Sequence, residues 1–244
     1  MIRRPGPALK LVIPVVLAGL GWGALRLAGG PSADQGLWPP VAGDVAALAT
    51  ADPLSLVVLG TSLSAGNPWP EGLRAQLEAC RGGPVALTVV AAPGENSDWG
   101  RQQMAGVLAA APDLVLVEFA INDADLRDGV PLDRSRENHA AILADLAAAR
   151  QGAVPVLMVL SPAKGLRGAL RPFYDRYRAL YAQLAEAAGA GLVDLDPAWQ
   201  AALRTGDRRA ILPDGIHPTA AATARITLPP LAAKLGPLLG CAEG

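Results

Sequence analysis

Histidine and cysteine each occur only twice in this 244-residue chain, as His139 and His217 and as Cys80 and Cys241. Two thiols cannot build a four-thiolate zinc site, and two imidazoles cannot build one that needs three, so any histidine chemistry must use one of those two residues. An excess of charge is also missing. The 21 basic and 22 acidic residues leave a formal net charge of -1, and no basic run lies outside the N-terminus, so no field gathers nucleic acid. Aromatic residues make up only 4% of the chain, which leaves few platforms for stacking on sugars. What is present is 51% hydrophobic, with 22 prolines and 27 glycines: one sizeable core, and neither a repeat nor a disordered protein.

Arg3, Arg4 and Lys10 precede an uncharged run from Leu11 to Leu25, closed by Arg26. A spanning helix needs about 20 apolar residues, and Ala8 to Ala28 reaches that length if Lys10 and Arg26 extend to the two interfaces. Cleavage after Ala28 would place Arg26 at the minus-three position, and cleavage after Ala33 would place Pro31 there, where a signal peptidase needs a small residue. Residues 1–28 therefore read as an uncleaved membrane anchor, with a secretory signal sequence as the alternative. Cations before the span and few after it put the remainder outside the cytosol, in the bacterial periplasm. Residues 29–53, rich in Gly, Pro, Ala and Asp, read as a linker with one short helix at Asp44 to Thr50.

From residue 54 to residue 244 the pattern is that of one domain. Short apolar runs at Leu54 to Leu59, Val85 to Val90, Leu114 to Phe119, Val154 to Leu160 and Leu192 to Leu195 alternate with helical segments at Glu71 to Cys80, Asp98 to Ala111, Leu132 to Gln151, Pro172 to Ala188 and Pro218 to Leu239. Strands that are apolar throughout are covered on both faces, and the connections are long enough for crossover helices, so an α/β three-layer sandwich around a five-stranded parallel sheet follows. In such sheets the working residues lie in loops past the carboxyl ends of the strands.

Those loops hold Gly60-Thr61-Ser62-Leu63-Ser64, Ala92-Pro93-Gly94-Glu95-Asn96-Ser97, Ala120-Ile121-Asn122-Asp123 and Pro213-Asp214-Gly215-Ile216-His217-Pro218. The first lacks the lysine of a phosphate loop and has Ser64 where an α/β-hydrolase elbow needs glycine. Together, and in this order, the four loops resemble the sequence blocks of the SGNH hydrolases, the GDSL-type esterases and lipases. The resemblance runs from Leu54 to about Leu239. It matches Ser62 to the nucleophile, Gly94 and Asn122 to the second- and third-block residues, and Asp214 with His217 to the D-x-x-H pair. It implies a flavodoxin-like fold and a serine esterase acting on acyl esters, small-molecule or glycan, without a metal or organic cofactor.

Elementary chemistry gives each of these residues a role. A serine hydroxyl needs a base, for which His217 is the candidate, and Asp214 would fix the imidazole's tautomer. The backbone N–H groups of Ser62 and Gly94 and the Asn122 amide would serve an oxyanion. Two departures from the family stand out: Thr61 replaces an aspartate outside the triad, and Ala120 replaces a frequent glycine. A left-handed backbone at Ala120 would cost about 1–2 kcal/mol and displace Asn122. The alternatives are a polysaccharide O-acetyl esterase or O-acetyltransferase of the cell envelope and, because of Ala120, an inactive glycan-binding module. Ser64 is a weaker neighbouring candidate, Asp123 reads as a turn former, and His139 as flanking the buried stripe of an ordinary helix. Trp69 and Trp99 are expected either as pocket walls or as core. Arg167, Arg171, Arg176 and Arg178 read as a solvated helix face, with recognition of acidic sugars or headgroups as the alternative. Finally, the implied topology puts Cys80 and Cys241 on one side of the sheet, where an oxidising compartment would let them pair.

Overall fold

The computed structural model describes residues 41, 45–149 and 152–241. The expected N-terminal anchor lies outside them, and among the described residues no helix is long and apolar enough to cross a membrane. The strands are Leu54–Gly60 (β1), Val85–Ala91 (β2), Leu114–Glu118 (β3), Val154–Val159 (β4) and Gly191–Asp194 (β5), each within a residue or two of its apolar run. All pairings are parallel, in the order β2-β1-β3-β4-β5. From β2 the chain returns past β1 to lay down β3 on the other side, so connections diverge at the carboxyl ends of β1 and β3. A crevice opens at such a switch point. Gly60 pairs with Ala91 and with Glu118, which brings the ends of the three strands level beneath it.

The period-2 alternation of strand side chains divides the core into two clusters. Leu54, Leu56 and Val58 of β1 join Leu114, Leu116, Val154, Val156 and Met158 on one face, whereas Val57 and Leu59 join Val115, Val117, Leu157 and Val159 on the other. The first face is covered by Val45–Thr50 (α1), Trp69–Arg81 (α2), Asp196–Thr205 (α8), Ala220–Ile226 (α10) and Leu228–Leu235 (α11), through Leu48, Leu73, Leu77, Trp199, Ile226, Leu231 and Leu235. The second is covered by Ser97–Ala109 (α3), Leu132–Ala147 (α5) and Tyr174–Ala188 (α7), through Met104, Val107, Ile142, Leu146, Leu180 and Leu184. Three short helices, Ala120–Asp123 (α4), Gly165–Ala169 (α6) and Arg208–Ile211 (α9), sit in the loops near the strand ends. Each fully buried Leu, Ile or Val contributes about 1.5–3 kcal/mol relative to exposure, so both faces hold the sheet in place.

Local chemistry explains where the elements differ from expectation. The single helix expected from Pro218 to Leu239 is three pieces, α10, α11 and a 3-10 turn at Gly236–Leu239. Pro229 and Pro230 cannot donate to the carbonyls a turn earlier, so the helix must restart there. The strand β2 is an edge, with Val89 42% exposed and only Val85 fully buried, so its apolar run is not covered on both sides. The stretch read as linker contains α1, whose Leu48 is buried in the first cluster. Cys80 and Cys241 are joined in a disulfide, Cα to Cα 5.4 Å, which fastens the end of the chain to the last turn of α2.

Candidate active site

Ser62 lies two residues past β1 on a turn held from below. Glu118, at the end of β3, is buried and faces the turn. Its Oε1 accepts the Thr61 backbone N–H at 2.6 Å and the Ser64 hydroxyl at 2.7 Å, while the Thr61 hydroxyl reaches both carboxylate oxygens at 3.1 Å. The Thr61 Oγ1 in turn accepts the Leu63 N–H, and the Trp69 indole N–H is donated to the Leu63 carbonyl at 2.9 Å. Gly60 is required for this approach, because a Cβ there would lie 2.2 Å from Glu118 Oε1. Burial raises Glu118 to about 7, although the Ser64 hydroxyl and the Thr61 N–H and hydroxyl all favour its charged form. Thr61, the departure from the family's aspartate, thus serves as a ligand of a carboxylate supplied by the neighbouring strand.

The Ser62 Oγ is 2.8 Å from His217 Nε2, and His217 Nδ1 is 2.6 Å from Asp214 Oδ2. Asp214 also accepts the backbone N–H groups of Ile216 at 3.0 Å and His217 at 2.8 Å through Oδ1. Partial burial opposes its ionisation, but the His217 N–H, the imidazole and the Ile216 N–H together bring it down to about 2. A carboxylate at Nδ1 makes that nitrogen the protonated one, which leaves the Nε2 lone pair for the Ser62 hydroxyl. The loop reaches Ser62 because β4 and the residues after it hold it. The Lys164 N–H is donated to the Gly215 carbonyl at 2.7 Å, and the Ser161 hydroxyl to the Ile216 carbonyl at 3.3 Å. Gly215 has φ +86°, and a Cβ there would lie 2.6 Å from the Lys164 carbonyl oxygen.

Gly94, with φ +81°, and Asn122, in α4, line one depression with Ser62 and His217. Among the described residues neither the Ser62 N–H nor the Gly94 N–H has an acceptor, and the Asn122 amide donates to the Glu95 carbonyl at 2.8 Å. These are free or partly free donors beside a hydroxyl. Ala120 is the first helical residue of α4, and the sole positive φ on a non-glycine among the described residues is at Ala111. The strain expected at Ala120 is therefore absent.

The helix bearing Asn122 rests on a buried network that no sequence pattern announces. The Tyr181 hydroxyl of α7 accepts the N–H groups of Phe119 at 2.8 Å and Ala120 at 3.1 Å, and lies 2.9 Å from His139 Nε2. With two donors already on its oxygen, Tyr181 gives its own proton to Nε2, so His139 is the neutral Nδ1–H tautomer, donating to the Ser135 carbonyl at 2.8 Å. Burial lowers the His139 pKa, which agrees with a neutral ring. His139 is not at the flank of its helix stripe but wholly buried. The Asp123 side chain does not cap the turn that follows it. It is buried, accepts the Ser97 N–H at 2.8 Å and the Ser135 hydroxyl at 2.5 Å, and is raised by that burial.

A model of the GDSL-like lipase/acylhydrolase family matches residues 55–225, which include all four loops. The chain belongs to that family. It is accordingly an ester-bond hydrolase of the SGNH type, the class implied by the sequence blocks. Solved structures with the same fold include an acetylxylan esterase from Geobacillus stearothermophilus, 19% identical over 77% of this chain and 96% of that one with a TM-score of 0.66. A lipase/acylhydrolase from Enterococcus faecalis is 20% identical over 78% and 98% with a TM-score of 0.63. No curated protein matches the chain.

The depression holding Ser62 and His217 is about 240 Å³ and is walled by Asp125, Arg127, Asp128, Arg167 and Arg171, not by the two tryptophans. Trp69 is buried in the core, and Trp99 packs edge-on against Phe119. The four arginines are not one solvated face. Arg171 is 6% exposed, donates to the Ile121 carbonyl at 2.6 Å and pairs with Asp125 at 2.8 Å, and Arg178 pairs with Asp194 and Asp196. Arg176 lies over the Phe173 ring, and Arg167 joins Arg171 in the wall of the cleft. Among the described residues no cluster of three His, Cys, Asp or Glu side chains could hold a metal ion.

Proposed function

We propose that this hydrolase is a serine esterase in which Ser62 attacks the acyl carbon, His217 takes its proton, and Asp214 fixes and stabilises the imidazole. The observation that carries the reading is the unbroken hydrogen-bonded line from Ser62 Oγ through His217 to Asp214, 2.8 and 2.6 Å. His217 then returns the proton to the departing alcohol, leaving an acyl group on Ser62 that water, activated by the same imidazole, releases. The N–H groups of Ser62 and Gly94 and the second N–H of the Asn122 amide receive the negative oxygen of each tetrahedral intermediate, each donor contributing about 2.7–4 kcal/mol to the transition state. Structures of the Geobacillus esterase described as catalytic mutants replace a serine, an aspartate and, three residues on, a histidine, the spacing of Asp214 and His217 here.

The acetylxylan esterase neighbours favour an O-acetylated glycan as substrate, and transfer of the acetyl group to a sugar hydroxyl is the same chemistry with a different acceptor. The binding-module alternative loses its motive, because Ala120 does not distort α4. With residues 1–28 as an anchor, the reaction would take place at the outer side of the bacterial inner membrane.

The test is covalent labelling with a fluorophosphonate, with peptide mapping in the wild type and in Ser62→Ala and His217→Ala. Label is expected on Ser62, absent from the first variant and slowed by about 10²–10⁴-fold in the second. A folded protein whose Ser62 stays unlabelled would refute the assignment.

A further inference from the structure

A second and larger depression, about 470 Å³, adjoins the catalytic one, and the two share Arg127 and Arg167 in their walls. Asp214 borders the larger and His217 the smaller, so the pair stands on the ridge between them. The larger volume falls within the range of small-molecule sites. Its charge is one-sided: Arg127, Lys164, Arg167, Arg208 and Arg209 line it with a single acid, Asp214, which is already engaged with His217. In a chain whose formal net charge is -1, that concentration of cations is local.

Few of these cations are neutralised. Arg127 meets Asp125 only at 3.4 Å, while the same carboxylate holds Arg171 more closely, at 2.8 Å. Lys164 Nζ donates to the neutral Gln200 amide at 2.7 Å. Among the described residues the guanidinium groups of Arg167, Arg208 and Arg209 have no acidic partner within 4.0 Å, and all three residues are exposed. Arg171 registers the crowding: burial lowers its pKa first, and the charges of Arg167 and Arg127 lower it further.

We propose that the larger depression is a subsite for an anionic group, a carboxylate or a phosphate, on the portion of the substrate beyond the scissile ester. An ester with its acyl carbon at Ser62 extends past Arg127 and Arg167 and places its remote carboxylate or phosphate among Arg167, Arg208 and Arg209, whose planar forks match either group. The inference rests on the esterase reading of Ser62, and the experiment separates the two.

Hydrolysis rates are compared within two matched pairs: O-acetylated oligogalacturonide against its neutral methyl ester, and acetylglycerol phosphate against monoacetylglycerol. Binding of the deacetylated oligogalacturonide and of glycerol phosphate is measured alongside by calorimetry. The proposal expects a kcat/KM advantage of at least about tenfold for the anionic member of one pair, the size of effect one charge-assisted hydrogen bond supplies. That advantage should collapse in Arg208→Ala/Arg209→Ala, survive in part in Arg208→Lys/Arg209→Lys, which keeps the charge without the fork, and shrink as salt screens the charges. The arm that shows it identifies carboxylate or phosphate. Using the ratio within a pair cancels any general loss from misfolding. Hydrolysis that does not distinguish the members of either pair overturns the subsite and leaves the esterase reading standing. If no ester is cleaved but an anionic product binds, and binding is lost in the alanine variant, the subsite stands and the esterase reading fails. Neither hydrolysis nor binding overturns both.

Discussion

Glu118 makes the thermodynamics of the Ser62 turn depend on pH, and the sign can be worked out. Its carboxyl is raised from an ordinary 4.5 to about 7, chiefly by burial. The folded state therefore holds a proton that the unfolded chain has lost between these two values, and stability falls as pH rises through that window. Below 4.5 the group is neutral in both states and costs nothing; above about 7 its ionisation cost is complete. At 1.36 kcal/mol per pH unit the full effect is about 3 kcal/mol. Glu118→Gln keeps an oxygen for the Thr61 N–H and has no charge to bury, so the stability of the variant relative to wild type should rise by about 3 kcal/mol between pH 4.5 and pH 8. Urea unfolding of both proteins across that range measures the difference, and contributions from all other groups cancel in it. Parallel stability curves, constant to within about 0.5 kcal/mol, would refute the claim that burial governs Glu118. The same titration acts on the turn carrying Ser62. A protonated Glu118 can no longer accept all three of its present donors, so the pH profile of kcat should carry a wild-type inflection near pH 7 that the variant lacks.

Three further outcomes follow from other parts of the site. Tyr181→Phe strips the acceptor from the buried N–H groups of Phe119 and Ala120 and should cost about 2–5 kcal/mol by denaturant titration; because α4 carries Asn122, kcat should drop more than KM changes. Gly215→Ala forces a Cβ to 2.6 Å from the Lys164 carbonyl oxygen at a φ of +86°. Its melting temperature should fall, by at least about 1–2 kcal/mol in stability, and esterase activity should fall with it as His217 moves away from Ser62. Cys80→Ser/Cys241→Ser opens a loop with a sequence separation of 161. On the chain-entropy account this removes up to about 5 kcal/mol in an unfolding titration, while the rate at saturating ester stays near wild type because neither cysteine touches the cleft.

The sheet was legible because burial on both faces leaves a signal in consecutive residues. The runs at Leu54, Leu114 and Val154 needed no partner to be recognised. The switch point between β1 and β3 then follows from strand order, and so does the convergence of the loops. The D-x-x-H pair was legible for a related reason, since Asp214 and His217 interact across three residues and one turn. The edge position of β2 was not visible, because Val85 to Val90 is as apolar as a central strand. The break at Thr227 was written in the Pro229-Pro230 dipeptide, which outweighs the alanine-rich helical composition around it.

The supports of the site were hidden for a physical reason of their own. Glu118 looks like an interruption near the end of an apolar run, and its meaning depends on Thr61 and Ser64, 57 and 54 residues away. Tyr181 and His139 each sit at an ordinary core position of a helix, and their roles exist only where α7 and α5 meet the loop after β3, with Tyr181 62 residues from the Phe119 N–H it satisfies. One signal was available. An ionisable residue inside a run that must be buried on both faces has to find donors or lose its charge, and Glu118 within Leu114 to Phe119 meets that condition on its sequence position alone. The loops display the proposed reacting groups, while buried polar residues from strands and helices distant in sequence hold those loops in place. Substitutions at Glu118 or Tyr181 should therefore resemble active-site variants in rate while leaving every residue that lines the cleft unchanged.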